Sequence, residues 1–170
     1  MTKNIKNEYI TVKSSSIHNN GVFAKKNIPA GTKIIEYVGE KITKKEAERR
    51  FNETFKKAQN SEEHGAVYLF HLNSRYDIDG NVPYNPARFI NHSCKPNCEV
   101  KIIKGHIWVI ALANIKNSEE LSYNYSYDYE VHEDHPCLCG TDICVGYIVA
   151  EEHWPKLKRK LARKKHQNRP

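Results

Sequence analysis

Five cysteines fall in two distant parts of the chain, and any fold for this sequence has to account for them. Cys94 and Cys98 lie in ARFINHSCKPNC, from Ala87 to Cys98, and Cys137, Cys139 and Cys144 lie in PCLCGTDIC. A structural zinc ion takes four thiolate or imidazole ligands in a tetrahedron and leaves no open position. Cys94 with Cys137, Cys139 and Cys144 supplies four thiolates, a set that ties the middle of the chain to its end. His132 and His135 stand as alternatives to one of those thiolates. Cys98 is left over and is expected to be a small buried residue near a sheet. Disulfides in a secreted protein are the competing account. An odd cysteine count in a chain that opens on the polar run MTKNIKNEYI, with no apolar leader, argues against it.

The 170 residues suit one domain with an appendage, and 39% hydrophobic content suffices for one packed core. No apolar run approaches the roughly 20 residues of a membrane span. The net charge of +7 is unevenly spread: residues 151–170 hold eight Lys or Arg against two Glu, so the first 150 residues carry only +1. In that tail Trp154, Leu157 and Leu161 recur at helical spacing among basic residues, which predicts a short helix docked by its apolar stripe. Its cations either keep a solvated end soluble or meet an acidic partner such as nucleic acid.

Short β-rich runs separated by Gly and Pro dominate elsewhere. YITVK, GVFAKK, KIIEYVGEKI, AVYLFHL and YDID read as strands, and Pro29 to Gly31 as a turn. Residues 98–113 alternate on both sides of Lys104 and Gly105, as in a hairpin with one buried face. The one internal helix runs from Thr43 to Ala58. Thr43 is its N-cap with Glu46 three residues on, and Ala47, Phe51 and Phe55 mark its apolar face. Tyr123, Tyr125, Tyr127 and Tyr129 share one alternation phase in EELSYNYSYDYE. Taken alone, that pattern is an edge strand with a tyrosine stripe, four hydroxyls on one face.

The order of these clusters carries more than any one of them. IHNNGVFAKKNIPAGTKIIEYVGE, VYLFHL, DIDGN, RFINHSCKPNC, EELSYNY and CLCGTDIC follow one another in a way that resembles the SET-domain family of protein lysine methyltransferases, from about Tyr9 to Gly146. The resemblance includes the family's cysteine-rich post-SET segment. It implies a mostly β fold, α+β with few helices: a β-clip-like set of small curved sheets with a C-terminal pseudoknot and a zinc-bound post-SET segment. In the pseudoknot RFINHSC passes through a loop near ELSYNY, an exception to the avoidance of threading. The expected divisions are a SET domain over 1–130, a zinc-binding segment over 131–150 and a partly helical basic tail over 151–170.

The same resemblance implies S-adenosylmethionine as methyl donor, S-adenosylhomocysteine as product, one structural zinc, and a substrate lysine entering by a narrow channel from the opposite side. Tyr125 matches the catalytic tyrosine. Tyr37, Tyr68, Phe70 and Tyr123 match channel-lining positions, and a hydroxyl at Tyr123 implies mainly mono- or dimethylation. Asn20, Gly21, Phe23, Asn91, His92, Tyr125 and Leu138 match the cofactor site. Arg88 sits in the same block, as a cofactor contact or as a brace for the pseudoknot, and its fork of donors favours the brace. Two positions depart from the family pattern. Asn19 stands for a glycine and tolerates positive φ better than most residues, and Asn124 replaces the acidic residue before Tyr125.

Three function classes follow. The first is an active protein lysine methyltransferase whose partner is a basic, lysine-containing segment, with histone tails ahead of non-histone proteins. The second is an inactive SET module that binds peptide, disfavoured by the presence of Tyr125, Asn91 and His92. The third is a zinc-containing protein that holds nucleic acid weakly through its tail, disfavoured by the near-neutral body. Abundant Lys and Asn around a small domain fit a bacterial or viral-type SET protein. Such a protein is intracellular, either cytoplasmic or delivered to a host nucleus and its chromatin. No residue pattern fixes an oligomeric state.

Overall fold

The computed structural model describes the backbone of residues 7–59 and 68–167 and the side chains of 7–54 and 68–164. Three small sheets carry the fold. The first orders β1 (Ile10–Ser14), β2 (Asn20–Ala24), β10 (Glu120–Tyr123) and β7 (Asn91–His92). The second orders β3 (Lys33–Tyr37), β9 (His106–Ala111) and β8 (Cys98–Ile103), and the third β4 (Glu40–Thr43), β6 (Tyr76–Asp79) and β5 (Leu69–His71). Short 3₁₀ turns span Pro86–Phe89, Tyr129–Asp134 and Glu151–His153. The α-helices are α1 (Lys44–Gln59) and α2 (Trp154–Gln167). Among the described residues, no helix is long and apolar enough to cross a membrane.

Local chemistry explains most of these elements. In the β8–β9 hairpin, Ile103 faces His106 across a two-residue turn, Lys104 at φ 51° and Gly105 at φ 80°. Positive φ at both central residues matches the turn to the twist of its strands. Thr43 caps α1, its hydroxyl accepting the Glu46 N–H at 3.3 Å. The Glu46 carboxylate turns instead to Arg49 and Arg50, and Arg50 ties the helix to the third sheet through Glu40 (2.8 Å) and Asp79 (2.6 Å). The turn at Pro29 closes through the Thr32 N–H on the Pro29 carbonyl, with Gly31 at φ 79°.

Three expectations are corrected. KIIEYVGEKI is two strands in two sheets, because the chain breaks at Val38 and Gly39 and a side chain at Gly39 would meet the Asp79 carbonyl at 2.1 Å. Phe51 is 39% exposed although Ala47 beside it is buried, so the apolar face of α1 is narrower than its spacing predicts. The expected Phe55 side chain lies outside the described residues, as does the start of AVYLFHL. The tyrosine run is not one strand either. Extended pairing ends at Tyr123, β10 lies between β2 and β7 rather than at an edge, and Ser126 at φ 53° turns the chain away, helped by its N–H on the Asn124 side chain.

The main core joins Val22, Leu121, Ile90, Ile107, Val109 and Tyr37 between the first two sheets, and Cys98 is buried within it. A second cluster joins Cys94, Val145 and Val149 to Leu157 of α2, with Trp154 and Leu161 packed beside them. The tail therefore docks by the expected stripe, and what it docks on is the cysteine segment. At the expected chain crossing, β7 pairs parallel to β10, Asn91 facing Ser122 and His92 facing Tyr123.

Candidate functional site

The two residues of β7 aim their side chains at different neighbours. The Asn91 amide nitrogen lies under the β1–β2 connection, 3.2 Å from Ser15 Oγ, 3.5 Å from the His18 carbonyl, 3.1 Å from the Asn20 carbonyl and 2.9 Å from Glu120 Oε1. Ser15 donates in turn to Glu120 at 2.8 Å. One amide carries two hydrogens, so four oxygens leave acceptors to spare. This surplus, with a carboxylate in it, suits a positively charged ligand group. Gly21 borders the same place: a Cβ there would sit 2.3 Å from Glu120 Oε1. Asn19 takes φ 37°, the conformation expected of it, and Phe23 pairs with Glu120 across the strands, on the same sheet face.

Beside this cradle stands an aromatic wall. Tyr37 and Phe70 rings are 5.2 Å apart, Phe70 and Tyr123 6.2 Å, Tyr123 and Tyr125 5.0 Å, and Tyr125 and Tyr127 5.7 Å. The Tyr125 hydroxyl donates to the Ile90 carbonyl at 2.9 Å, and its backbone N–H donates to His92 Nδ1 at 3.2 Å. The Tyr37 hydroxyl donates to the Tyr68 carbonyl at 2.8 Å. Burial pushes the Tyr37, Tyr123 and Tyr125 phenols well above their ordinary value, so all three stay protonated donors. Burial also holds the His92 imidazole down at about 4, which keeps it neutral.

Four positions singled out in the sequence differ in what they do. Tyr68 reaches the wall through its carbonyl, while its ring faces Arg88 at 5.5 Å. Arg88 lies over both Tyr68 and Phe89 (4.6 Å) and donates to Asn81 Oδ1 at 3.0 Å, the geometry of a brace. Tyr129 leaves its phase-mates and packs on His132 at 4.6 Å. Leu138 is 65% exposed at the surface of the cysteine segment. Sequence reasoning missed Ser15, Glu120 and Gly80, and gave Tyr127 only as a member of the tyrosine stripe. Gly80 carries the wall: a Cβ on it would lie 2.3 Å from the Tyr37 hydroxyl. Tyr127 was legible from its phase; the Ser15–Glu120 contact joins residues too distant in sequence for any local pattern.

The sulfurs of Cys94, Cys137, Cys139 and Cys144 lie within 4.8 Å of one another, and all five cysteines are free thiols. Zn–S bonds of about 2.3 Å place tetrahedral sulfurs roughly 3.8 Å apart. Cys94 Sγ is 3.8 Å from Cys137 Sγ and 4.0 Å from Cys144 Sγ, so this donor set fits zinc. The histidine alternatives are engaged elsewhere: His132 with the Tyr129 carbonyl and the Tyr147 ring (5.3 Å), His135 with Tyr127 (4.7 Å). Burial raises the Cys94 thiol to about 11. At Cys139 burial also opposes ionisation, but the Cys94 backbone N–H and Thr141 outweigh it and bring the thiol to about 6. Cys98 is pushed up to about 12 by burial, as befits an inert core thiol.

With this geometry in hand, comparison with known proteins is specific. A family described as "SET domain" matches residues 19–126. A relative from Chaetomium globosum named "Histone-lysine N-methyltransferase, H3 lysine-4 specific" is 43% identical over 140 residues, 79% of this chain. A Saccharomyces cerevisiae protein of the same name is 41% identical over the same share. The chain spans 12% of the length of each of these relatives. Among solved structures, a humanized mutant of the Chaetomium thermophilum Polycomb Repressive Complex 2 bound to the inhibitor GSK126 is similar with a TM-score of 0.59 and 28% identity. That match covers 70% of this chain and 15% of the other.

Proposed function

The chain belongs to the SET-domain family, and from that premise we propose that it is an S-adenosylmethionine-dependent protein lysine N-methyltransferase acting on histone-type basic tails. The observation that carries this reading is that consecutive residues join two features: Asn91 sits in an acceptor-rich cradle with Glu120, and Ile90 before it holds the Tyr125 hydroxyl of a wall that continues through Tyr123, Phe70 and Tyr37. Relatives named for histone H3 lysine 4 support the substrate class, and they support chromatin as the place of action.

S-adenosylmethionine supplies, when bound, a methyl group on a sulfonium for in-line displacement by an amine. The residues of the chain do the rest. An ammonium has no lone pair, so the substrate lysine must first lose a proton, and an aromatic wall favours the less hydrated neutral amine. Tyr125, held at its hydroxyl by Ile90 and at its backbone by His92, orients the reacting groups in near-attack geometry. The Ile90 carbonyl adds a weak C–H···O acceptor. Asn91 and Glu120, with Asn20, Gly21 and Phe23 beside them, receive the charged end of the donor molecule, and Arg88 braces the turn before β7. The Tyr123 hydroxyl takes up room beside the amine, which limits the product to mono- or dimethyllysine. Cys94, Cys137, Cys139 and Cys144 would hold a zinc ion that ties residues 131–150 to the body of the domain, and the exposed Leu138 would give that segment an apolar contact for the cofactor. Lys158 and Arg159 are exposed on α2 and give nucleic acid a secondary, weak contact.

The test is transfer of labelled methyl from S-adenosylmethionine to core histones and whole-cell proteins, with mass spectrometry of the product lysine. Wild type labels a histone tail; Tyr125→Phe loses the label; Tyr123→Phe moves the product to a higher methylation state. Cofactor binding without labelling of any protein would instead support a peptide-binding module, and an unchanged methylation state in Tyr123→Phe would remove the role given to that hydroxyl.

A further inference from the structure

The His92 imidazole makes two hydrogen bonds that point opposite ways. Nδ1 accepts the backbone N–H of Tyr125 at 3.2 Å, and Nε2 lies 3.6 Å from Cys94 Sγ. A backbone N–H only donates, so Nδ1 is the bare nitrogen, and the proton of a neutral ring then sits on Nε2. That N–H points at the Cys94 sulfur. The ring is 4% exposed and stands edge-on to the Tyr125 ring at 5.5 Å. His92 therefore touches a metal ligand with one nitrogen and the tyrosine loop with the other.

We propose that His92 is a positioning residue that couples the four-cysteine metal site to Tyr125. Its Nε2–H orients the Cys94 sulfur, while Nδ1 fixes the backbone at Tyr125. With a metal on the four cysteines Cys94 would be fixed in place, and with it the His92 ring and the Tyr125 backbone; with the metal gone Cys94 is freer to move and the Tyr125 backbone loosens. Partners of this kind around a metal ligand typically contribute about 10–100-fold in affinity or activity. The proposal rests on reading Tyr125 as the tyrosine of the transfer site, but its content is the relay itself.

The experiment separates the two nitrogens. In His92→Asn the amide oxygen falls near the position of Nδ1 and keeps the bond from Tyr125, with nothing left to reach Cys94. In His92→Gln the amide nitrogen falls near Nε2 and keeps the bond to Cys94. Zinc affinity is measured by competition with a chromophoric chelator, and Tyr125 amide protection by hydrogen exchange with and without zinc. His92→Asn is expected to bind zinc about 10–100-fold more weakly, while its Tyr125 amide stays protected when zinc is saturating. His92→Gln is expected to bind zinc within about threefold of wild type and to lose kcat. Stripping zinc from the wild type should speed exchange at Tyr125. Wild-type zinc affinity in His92→Asn overturns the relay. So does Tyr125 protection that ignores zinc in the unmutated protein, a measurement that needs no variant to fold. Neither readout uses substrate or methyl donor, so a chain that transfers no methyl group would sink the proposed function and leave the relay to be judged separately.

Discussion

Gly80→Ala tests whether the aromatic wall is the working surface. A Cβ at Gly80 would lie 2.3 Å from the Tyr37 hydroxyl oxygen and 2.4 Å from two of its ring carbons. Carbon atoms rest about 3.5 Å apart, so the ring or the backbone must move by roughly 1.1 Å. Both routes break something. The Tyr68 carbonyl accepts the Tyr37 hydroxyl and the Gly80 N–H, each at 2.8 Å, so retreat of the ring costs the first bond and retreat of the backbone the second. Overpacking of this kind costs about 1–3 kcal/mol. At this chain length each kcal/mol lowers Tm by roughly 2–4 °C, so the expected drop is roughly 2–12 °C. A wall displaced by about 1 Å is expected to lower turnover by about 10²-fold. Gly31→Ala is the control: its φ of 79° makes it costly by about 1–2 kcal/mol, but nothing lies within 4 Å of its Cβ, so turnover should hold. Thermal melts and methyl-transfer kinetics on both variants decide the matter. Gly80→Ala that melts like wild type, or that turns over like Gly31→Ala, refutes the reasoning.

Leu157→Ala should loosen the cysteine segment without unfolding the sheets. Leu157 is 0% exposed among Cys94, Val145 and Val149, and such truncations cost about 2–5 kcal/mol; faster zinc loss to a chelator and early proteolysis of α2, with unchanged exchange protection in β8 and β9, is the expected pattern, and wild-type zinc retention would contradict it. Alkaline titration checks the wall independently. Tyr37, Tyr123, Tyr125 and Tyr127 have folded values above the ordinary 10.0, so their contribution to stability is complete below pH 10 and is lost as pH rises toward the folded values. Above pH 10 the unfolded chain binds fewer protons, and stability should fall by about 1.4 kcal/mol per pH unit for each such tyrosine. Tyrosinate absorbance should accordingly show these four tyrosines titrating late in the folded protein and normally in denaturant; ordinary titration of all four in the folded protein would mean the wall is wet.

The parts of this protein that were legible in sequence are those in which a short stretch of chain decides its own geometry. Lys104-Gly105 fixes its hairpin because both residues reach positive φ, Thr43 caps its helix within one turn, and YDID alternates over the four residues of β6. Four cysteines were legible for another reason, since tetrahedral metal chemistry admits few other arrangements. What escaped depends on distant neighbours. Nothing in KIIEYVGEKI says that Asp79 will press on Gly39 and split the strand, and nothing near Ser15 announces Glu120. The phase of the tyrosines placed Tyr123, Tyr125 and Tyr127 together correctly. It failed at Tyr129 because Ser126 adopts a left-handed conformation after the sheet has ended.

The same distinction explains why a strand of two residues sits at the centre of the site. Successive side chains of an extended chain point to opposite faces. Pairing beside Ser122 and Tyr123 therefore sends Asn91 to the side of Glu120 and the β1–β2 connection, and sends His92 to the side of Tyr125 and Cys94. One peptide unit thus divides the acceptor-rich cradle from the cysteine cluster and holds both in register with Tyr123 at the end of β10 and Tyr125 beyond it. A shift of one residue in this pairing would exchange the two side chains, removing the donor from four oxygens and the acceptor from the Tyr125 N–H together. The fold guards against it from both ends. Ile90 is buried in the main core and lends its carbonyl to Tyr125, and Cys94 is buried in the second cluster beneath Leu157, so sliding the strand would pull an anchored residue out of each core.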